Sequence, residues 1–208
     1  MSDPKEIVRA GYDAIADRYA EWAATFETPE LRWVDDLLAL LPENASVLDL
    51  GCGGGRTAAQ TVAARHRYTG VDISPAQIER ARERIPDGRF LVADVTALEL
   101  EPASFDAVMS MFMFGHIPRA EQPPLLAHVH RWLKPNGLLL ATMGTGGTDD
   151  AVEDDWLGAP MFFASFDPET NRRLLDEAGF EPIRERVITY DEPGHRPVSF
   201  MWVLARRS

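Results

Sequence analysis

Val47-Leu48-Asp49-Leu50-Gly51-Cys52-Gly53-Gly54-Gly55 is a short apolar run that stops at a carboxylate and then breaks into glycines. Such a run is typical of a buried parallel strand, and glycines after it let the backbone turn tightly and approach a ligand closely. Residues 57–65 then have the composition of a helix, and a helix N-terminus favours negative or electron-rich ligand atoms. The segment therefore predicts a ligand-binding loop between a strand and a helix.

Two further apolar runs also end in an acid, so that Asp49, Asp72 and Asp94 follow one another at intervals of about one strand-plus-helix unit. The carboxyl ends of parallel strands meet at one edge of an open sheet, where such folds bind ligands. Three carboxylates at that edge indicate a ligand with hydroxyls, amines and a positive charge. The alternative for each acid is a helix N-cap.

Five segments in this order resemble the class I S-adenosylmethionine-dependent methyltransferases: 49–55, Gly70-Val71-Asp72-Ile73-Ser74, Ala93-Asp94-Val95, Phe105-Asp106-Ala107-Val108 and Leu133-Lys134-Pro135-Asn136-Gly137. The resemblance implies an α/β, doubly wound, seven-stranded, mostly parallel sheet in the order 3-2-1-4-5-7-6 with strand 7 antiparallel. It also implies S-adenosylmethionine as cofactor and S-adenosylhomocysteine as product. Independently, the short Pro- and Gly-containing connection after residue 190 predicts that the last two strands are antiparallel.

The strand-end residues have distinct expected roles toward this cofactor. Asp72 precedes a helix start and is placed to accept both ribose hydroxyls, while Ile73 can lie against the adenine. By resemblance, Asp94 accepts from the adenine amine, the Val95 N–H meets a ring nitrogen, and Asp49 with the glycine backbone serves the methionine end. The single cysteine excludes an internal disulfide and fills space in the loop. The candidate cofactor-binding residues are Tyr12, Tyr19, Asp49, Gly51, Cys52, Gly53, Asp72, Ile73, Asp94, Val95 and Met111.

The N-terminal part, residues 1–42, is predicted to be a helical lid. Apolar residues recur at steps of three and four over residues 4–26, which predicts an amphipathic helix that Gly11 can divide in two. By resemblance, Tyr12 and Tyr19 close over the cofactor. The alternative is a helix that only packs on the sheet.

The segment after the fourth strand, residues 110–118, is expected to face the methyl acceptor. Met111 would contact the cofactor, and Met113 and Phe114 would line the acceptor side. His116 is the catalytic candidate, because a histidine can take a proton from an attacking hydroxyl, thiol or amine near neutral pH. The alternative is that it hydrogen-bonds a loop carbonyl.

Residues 144–167 are predicted to be an irregular inserted loop that forms the wall of an apolar acceptor pocket, because connections of this length tend to be functional. Its acidic residues favour a solvated face over a metal site, so no metal is expected. The candidate substrate-pocket residues are Met113, Phe114, Trp156, Met161, Phe162 and Phe166.

Length and composition predict a single domain over residues 1–208, and the resemblance implies that it is a methyltransferase domain. The chain is 45% apolar and 26% charged, without a membrane-length apolar stretch or a signal peptide, so a cytoplasmic protein without membrane contact is expected. The net charge of −12 argues against nucleic acid as a partner. A monomer or homodimer is expected.

The function predicted from these features is direct methyl transfer to an O, N, S or C nucleophile of a small, partly apolar metabolite. The alternatives are a non-catalytic S-adenosylmethionine-binding sensor or partner subunit, and a protein or tRNA methyltransferase. A nicotinamide-dependent dehydrogenase ranks low, because Arg56 occupies the last position of the Gly-x-Gly-x-x-Gly pattern that starts at Gly51.

Overall fold

The computed structural model describes residues 3–26, 28–192 and 197–208. Nine strands in these residues form two sheets, one of seven strands and one of two. The strands are β1 Ser46–Leu50, β2 Arg67–Asp72, β3 Arg89–Val92, β4 Phe105–Ser110, β5 Leu133–Gly144, β6 Ala151–Trp156, β7 Ala159–Phe163, β8 Phe180–Tyr190 and β9 Val198–Arg207.

The large sheet has the order β3-β2-β1-β4-β5-β9-β8. Its first five strands run parallel, and β9 is antiparallel to both β5 and β8. This is the expected order 3-2-1-4-5-7-6, because β6 and β7 lie outside the large sheet and raise the numbers of the last two strands. The predicted fold class and the antiparallel last pair are confirmed.

Six α-helices join or flank these strands in the described residues: α1 Pro4–Ala23, α2 Glu30–Leu38, α3 Thr57–Ala63, α4 Pro75–Arg84, α5 Gln122–Trp132 and α6 Pro168–Glu177. Side-chain caps start three of them. Asp3 accepts the Lys5 N–H, Ser74 accepts the Gln77 N–H, and Asp167 accepts the Thr170 N–H. None of the helices in the described part of the chain combines the length and the apolar character of a bilayer span.

Alternation along the strands builds a core on each face of the large sheet. Leu48 on β1 and Val203 on β9 face α5 and α6, whereas their neighbours Val47 and Trp202 face α2, α3 and α4. Because successive side chains of a strand point to opposite faces, uninterrupted apolar runs are what a sheet covered on both sides requires.

Helix α1 is continuous, so the expected break at Gly11 is wrong. A β-carbon on Gly11 would lie 2.8 Å from both Met161 Cε and the Pro160 carbonyl oxygen. The glycine is there because the hairpin formed by β6 and β7 packs directly on the helix at this point.

Residues 144–167 are also more regular than expected, because they contain the β6–β7 hairpin. The hairpin and α1 share a third apolar cluster, which includes Val8, Ile15, Trp156 and Phe162. We call α1 and the hairpin together the cap. The irregular inserted loop predicted for this segment is therefore corrected to a hairpin that packs on the N-terminal helix.

Candidate active site

The three strand-end acids lie at one edge of the sheet, on the walls of two adjoining cavities. Asp49 lines a large cavity of about 1030 Å³. Asp72 and Asp94 line a narrow cavity of about 80 Å³. The parallel register, in which Asp49 pairs with Gly70 and Asp72 with Val92, brings the strand ends together as the sequence predicts.

The glycine loop follows β1 and takes a backbone path that side chains would block. Gly51 has φ +71° and Gly53 has φ +51°. A β-carbon on Gly51 would lie 2.5 Å from Met113 Cγ. Cys52 is buried beside Gly70, and burial raises the pKa of its thiol well above the usual range. The thiol therefore stays protonated and fills space, as expected.

The Asp72 carboxylate is held by backbone N–H groups at both oxygens. Gly53 N donates to Oδ2 and Ser74 N donates to Oδ1, and both hydrogen bonds are 2.9 Å long. Burial raises the pKa of Asp72 to about 6, and these two hydrogen bonds oppose that shift. Because each carboxylate oxygen accepts more than one hydrogen bond, Asp72 can still accept from a ligand hydroxyl.

Asp49 accepts a hydrogen bond of 2.6 Å from the Tyr68 hydroxyl. Burial, together with the negative charges of Glu30 and Asp72, raises the pKa of Asp49 to about 7 in spite of this bond. A positively charged ligand group in the large cavity would favour the ionised carboxylate. Asp49 is therefore suited to an ammonium group.

Asp94 forms an ion pair with a lysine in the first turn of α1. Lys5 Nζ lies 2.8 Å from Oδ2, and the Thr96 N–H and hydroxyl bind the same carboxylate. Burial opposes the ionised form, but the Lys5 and Thr96 hydrogen bonds outweigh it and lower the pKa of Asp94. Lys5 Nζ is also 2.5 Å from Glu121. The sequence reasoning missed Lys5, because a lone lysine near a chain terminus carries no motif.

His116 bridges the hairpin and α1. Its Nδ1 lies 2.9 Å from the Phe162 carbonyl oxygen, and its Nε2 lies 2.8 Å from the Tyr12 hydroxyl. A carbonyl only accepts, so Nδ1 carries the proton and Nε2 accepts from Tyr12. Burial lowers the pKa of His116 to about 4. The carbonyl contact left open by the sequence is present, and the nitrogen needed for proton abstraction is occupied by Tyr12.

The two cavities meet at a shared set of side chains and backbone, which we call the junction. Its polar side chains are two tyrosines, a histidine and the Gln77 carboxamide, whose Nε2 is buried without a partner among the described residues. Eight of the described residues line both cavities: Tyr12, Tyr19, Gly51, Gly53, Gln77, Met111, Phe112 and His116.

These groups fit a long, polar, positively charged ligand that spans both cavities. Asp49 and Asp72 are buried acceptors without a cationic partner among the described side chains. The Gln77 amide nitrogen is a buried donor that also has no partner among them. Buried polar groups are normally satisfied. Within residues 3–26, 28–192 and 197–208, no group of three acid, histidine or cysteine side chains could hold a metal ion.

Comparison with known proteins agrees with this geometry. Residues 47–137, from β1 to the start of β5, match the methyltransferase domain family. The chain is 32% identical over 219 residues to a 27-O-demethylrifamycin SV methyltransferase from Amycolatopsis mediterranei, covering 91% of this chain and 79% of that protein. The protein belongs to the class I S-adenosylmethionine-dependent methyltransferases.

A second relative and a solved structure extend the match. A ubiquinone biosynthesis O-methyltransferase from Paracidovorax citrulli is 32% identical over 147 residues, or 65% of this chain and 59% of that protein. The fold is shared with the magnesium protoporphyrin IX methyltransferase of Synechocystis, crystallised with bound S-adenosylmethionine, at a TM-score of 0.74 and 18% identity over 100% of this chain and 99% of that chain.

In this methyltransferase, all eleven predicted cofactor residues line one or both cavities. Ile73, Val95 and the two acids Asp72 and Asp94 line only the narrow cavity. Asp49 and Cys52 line only the large one, and the other five belong to the junction. Their contact with the cofactor stays a prediction, but the structure brings every one of them to the same edge of the sheet.

The predicted substrate-pocket residues divide differently. Trp156 lines the large cavity and Met113 the narrow one. The remaining four line neither cavity as the described residues form them: Phe114, Met161, Phe162 and Phe166.

These four side chains are placed by packing. Phe114 lies in the core beside α5, and Met161 and Phe162 are buried against α1. Phe166 lies under the Arg119 guanidinium, 4.8 Å from the ring centroid. Sequence alone could not separate these from their neighbour Phe163, which does line the large cavity, because an aromatic cluster has no periodicity that distinguishes wall from core.

The methyltransferase's large cavity has further aromatic and acidic walls that the sequence reasoning did not identify. Three acids on these walls form no hydrogen bond or ion pair with a described side chain within 4.0 Å: Glu30, Glu192 and the exposed Glu153. Burial raises the pKa of Glu192 to about 7. The aromatic residues concerned are Trp22, Phe26, Phe112, Phe163, Tyr190 and Phe200.

Proposed function

We propose that the protein transfers the methyl group of S-adenosylmethionine to a nucleophile, preferably a hydroxyl oxygen, of a small aromatic or otherwise partly apolar metabolite. The observation that carries this proposal is the large cavity. It starts at Asp49 and the glycine loop and continues between aromatic walls, with a volume of about 1030 Å³. Ligand pockets typically measure about 300–1,000 Å³, so this cavity has room for the amino-acid end of the cofactor and for an acceptor.

The names of the relatives support an oxygen acceptor on a bulky molecule. The Amycolatopsis mediterranei enzyme is named for 27-O-demethylrifamycin SV, and the Paracidovorax citrulli enzyme is an O-methyltransferase of ubiquinone biosynthesis. The aromatic walls favour a planar acceptor, since aromatic rings pack by stacking and edge-to-face contacts. Nitrogen and sulfur acceptors remain in the screen described below.

Each strand-end residue has a defined part in binding. Asp72 accepts from the ribose hydroxyls while the Gly53 and Ser74 N–H groups hold it in place. Asp49 accepts from the ammonium of the methionine end, and Tyr68 orients it. S-adenosylmethionine supplies an already activated methyl group, so the protein's main contribution is to align the acceptor and to lower the entropic cost of the encounter.

The charge of the chain bears on the other acceptor classes. A net charge of −12 disfavours tRNA, whose binding rests on basic contacts to phosphates. We therefore place small molecules before nucleic acids as acceptors. A protein acceptor and a non-catalytic role both predict cofactor binding without transfer to a small molecule.

The first test is calorimetric titration of the purified protein with S-adenosylmethionine, S-adenosylhomocysteine and NAD, followed by transfer of a labelled methyl group to a panel of phenols, alcohols, amines and thiols. We expect binding of the first two ligands, no binding of NAD, and transfer to at least one phenol or alcohol. Cofactor binding without transfer to any panel member would favour the sensor role or a protein acceptor, and lack of cofactor binding would contradict the proposal.

A matched pair of variants tests the cavity assignment. Phe163 lines the large cavity, whereas Phe166 packs under Arg119 outside it. We expect Phe163→Ala to raise the KM for the acceptor, and Phe166→Ala to change the melting temperature without changing that KM.

A further inference from the structure

The hydrogen-bond chain through His116 determines what the Tyr12 hydroxyl offers to a ligand. The Phe162 carbonyl accepts from Nδ1 at 2.9 Å and so fixes the proton there. Nε2 then accepts a hydrogen bond from the Tyr12 hydroxyl at 2.8 Å. A hydroxyl has one proton and two lone pairs. Because the Tyr12 proton is engaged in the hydrogen bond to His116, the hydroxyl presents only lone pairs to the rest of the junction.

The junction is where the positive sulfur of the cofactor belongs, and this step rests on the proposed function. The nucleoside acids Asp72 and Asp94 line the narrow cavity and Asp49 lines the large one. The sulfur joins the nucleoside to the amino-acid end of S-adenosylmethionine, so it must lie between them. Tyr12 and His116 line both cavities at that point.

The aromatic surroundings of Tyr12 and His116 strengthen an interaction between the Tyr12 hydroxyl dipole and a positive charge at the junction. The Tyr12 ring makes edge contacts with Tyr19 and Trp156, at centroid distances of 5.3 Å and 5.8 Å, and His116 lies 5.1 Å from Phe163. His116 is buried and Tyr12 is half-buried among these rings, and electrostatic interactions are stronger away from bulk water. Tyr12, His116 and Phe162 also come from α1, a 3₁₀ turn at Phe114–His116 and β7, so three elements fix one oxygen.

We propose that His116 is a positioning residue that directs the lone pairs of the Tyr12 hydroxyl toward the sulfonium, and that the site thereby prefers charged S-adenosylmethionine to neutral S-adenosylhomocysteine. A lone pair attracts the positive sulfonium and gains nothing from the uncharged thioether that remains after transfer. The pair therefore favours release of the product. His116 needs no proton exchange with the acceptor for this role.

The test measures the affinities of S-adenosylmethionine and S-adenosylhomocysteine by calorimetry and compares their ratio between variants. Tyr12→Phe removes the hydroxyl, His116→Leu removes the acceptor nitrogen at similar size, and His116→Gln keeps an acceptor near the place of Nε2. We expect the first two to reduce the preference for S-adenosylmethionine by about three- to tenfold, the size of one polar contact. His116→Gln should keep most of it, and Tyr12→Phe combined with His116→Leu should lose no more than either alone.

The ratio separates positioning from packing, because a loss of packing weakens both ligands equally. A wild-type ratio in His116→Leu, or additive losses in the double variant, would overturn the proposal. Tyr19→Phe is the control, since it removes a hydroxyl that lies at the same junction but is not hydrogen-bonded to His116. Its effect on the affinity ratio should add to that of His116→Leu. If the unaltered protein binds neither ligand, the proposed function fails first.

A nitrogen NMR spectrum of the unaltered protein provides a test that depends on no variant. The hydrogen-bond chain requires the Nδ1-protonated neutral tautomer of His116, and burial favours the neutral form. We expect that tautomer to persist down to about pH 5. A proton on Nε2, or titration of His116 near its ordinary pKa, would contradict the inference.

Discussion

Lys5 Nζ lies 2.8 Å from Oδ2 of Asp94, so an ion pair joins the first turn of α1 to the end of β3. The narrow cavity beside this pair has a volume of about 80 Å³, well below the ~300 Å³ at the lower end of ligand pockets. Lys5 also lines this cavity, so the ion pair holds the first turn of α1 beside the place proposed for the adenine.

Removing that ion pair should weaken cofactor retention. We expect Lys5→Met to raise the dissociation rate of S-adenosylmethionine by about three- to tenfold, because a partly buried charged hydrogen bond to Asp94 is lost. Stopped-flow measurement of cofactor release checks this. Arg9→Met is the matched control, since Arg9 pairs with Glu6 and Asp13 on the same helix, and it should release the cofactor at close to the wild-type rate.

Asp72→Asn should weaken S-adenosylmethionine binding by about tenfold to a hundredfold, because an amide cannot accept from two N–H groups and two ribose hydroxyls at once. Calorimetry measures the change. Asp106→Asn is the control: Asp106 is a carboxylate on the same sheet that is paired with Lys134 and lines neither cavity in the described residues. Equal losses in the two variants would contradict the ribose assignment.

The raised pKa of Asp49 predicts a pH dependence with a definite sign. The native pKa of about 7 lies above the ordinary value of 3.8, so the unfolded chain loses this proton first. The contribution of Asp49 to stability therefore falls as pH rises between these values and is constant above them. We expect Asp49→Asn to stabilise the free protein by roughly 2 kcal/mol at about pH 8 and by much less near pH 4.

Cofactor affinity should follow the opposite trend, because binding an ammonium needs the ionised Asp49. In the unaltered protein, we expect S-adenosylmethionine affinity to rise with pH up to about 7 and then to level off. Tyr68→Phe removes the hydrogen bond that favours the ionised form and should move this rise to higher pH. Calorimetry across the pH range measures it, and a flat profile in both proteins would refute the role of Asp49.

Gly51→Ala should destabilise the fold and abolish cofactor binding. The residue has φ +71°, and an added β-carbon would lie 2.5 Å from Met113 Cγ. We expect the free energy of unfolding to fall by about 2–4 kcal/mol, from left-handed backbone strain and overpacking together. Gly147→Ala separates the two causes, since Gly147 has φ +61° with nothing within 4 Å. Chemical denaturation should show that Gly147→Ala lowers the free energy of unfolding by only about 1 kcal/mol.

The pH profile of methyl transfer should depend on Glu192 and not on His116. Burial raises the pKa of Glu192 to about 7, and it lines the large cavity, so its carboxylate is suited to accept a proton near neutral pH. With a phenol found by the panel, we expect kcat to rise with pH up to about 7 and Glu192→Gln to lower kcat and remove this rise. Glu153→Gln, an exposed acid on the same cavity, should keep the wild-type profile.

The sheet and its binding edge could be predicted from sequence because their signals are local. An apolar run ending at Asp49, Asp72 or Asp94 marks both the buried strand and its carboxyl end, and the short last connection leaves only an antiparallel pairing for β8 and β9. All three acids lie where the sequence placed them.

The acceptor side could not be predicted to the same depth, because tertiary contacts decide it. Phe162 and Phe163 are neighbours of the same type, yet one is buried against α1 and the other lines the cavity. The sequence allows a helix break at Gly11, whereas the structure makes this residue a contact point for Met161. The tautomer of His116 depends on a carbonyl 46 residues away, and no local pattern carries such information.

The cap has a hydrophobic cluster of its own, separate from the two cores that flank the sheet. Mutations in the hairpin of residues 151–163 therefore alter the acceptor wall without disturbing the strands that carry Asp49 and Asp72. During evolution, acceptor preference can diverge while the cofactor end stays the same. A laboratory library confined to the hairpin positions that line the large cavity outside its buried cluster should change specificity at little cost in folding yield.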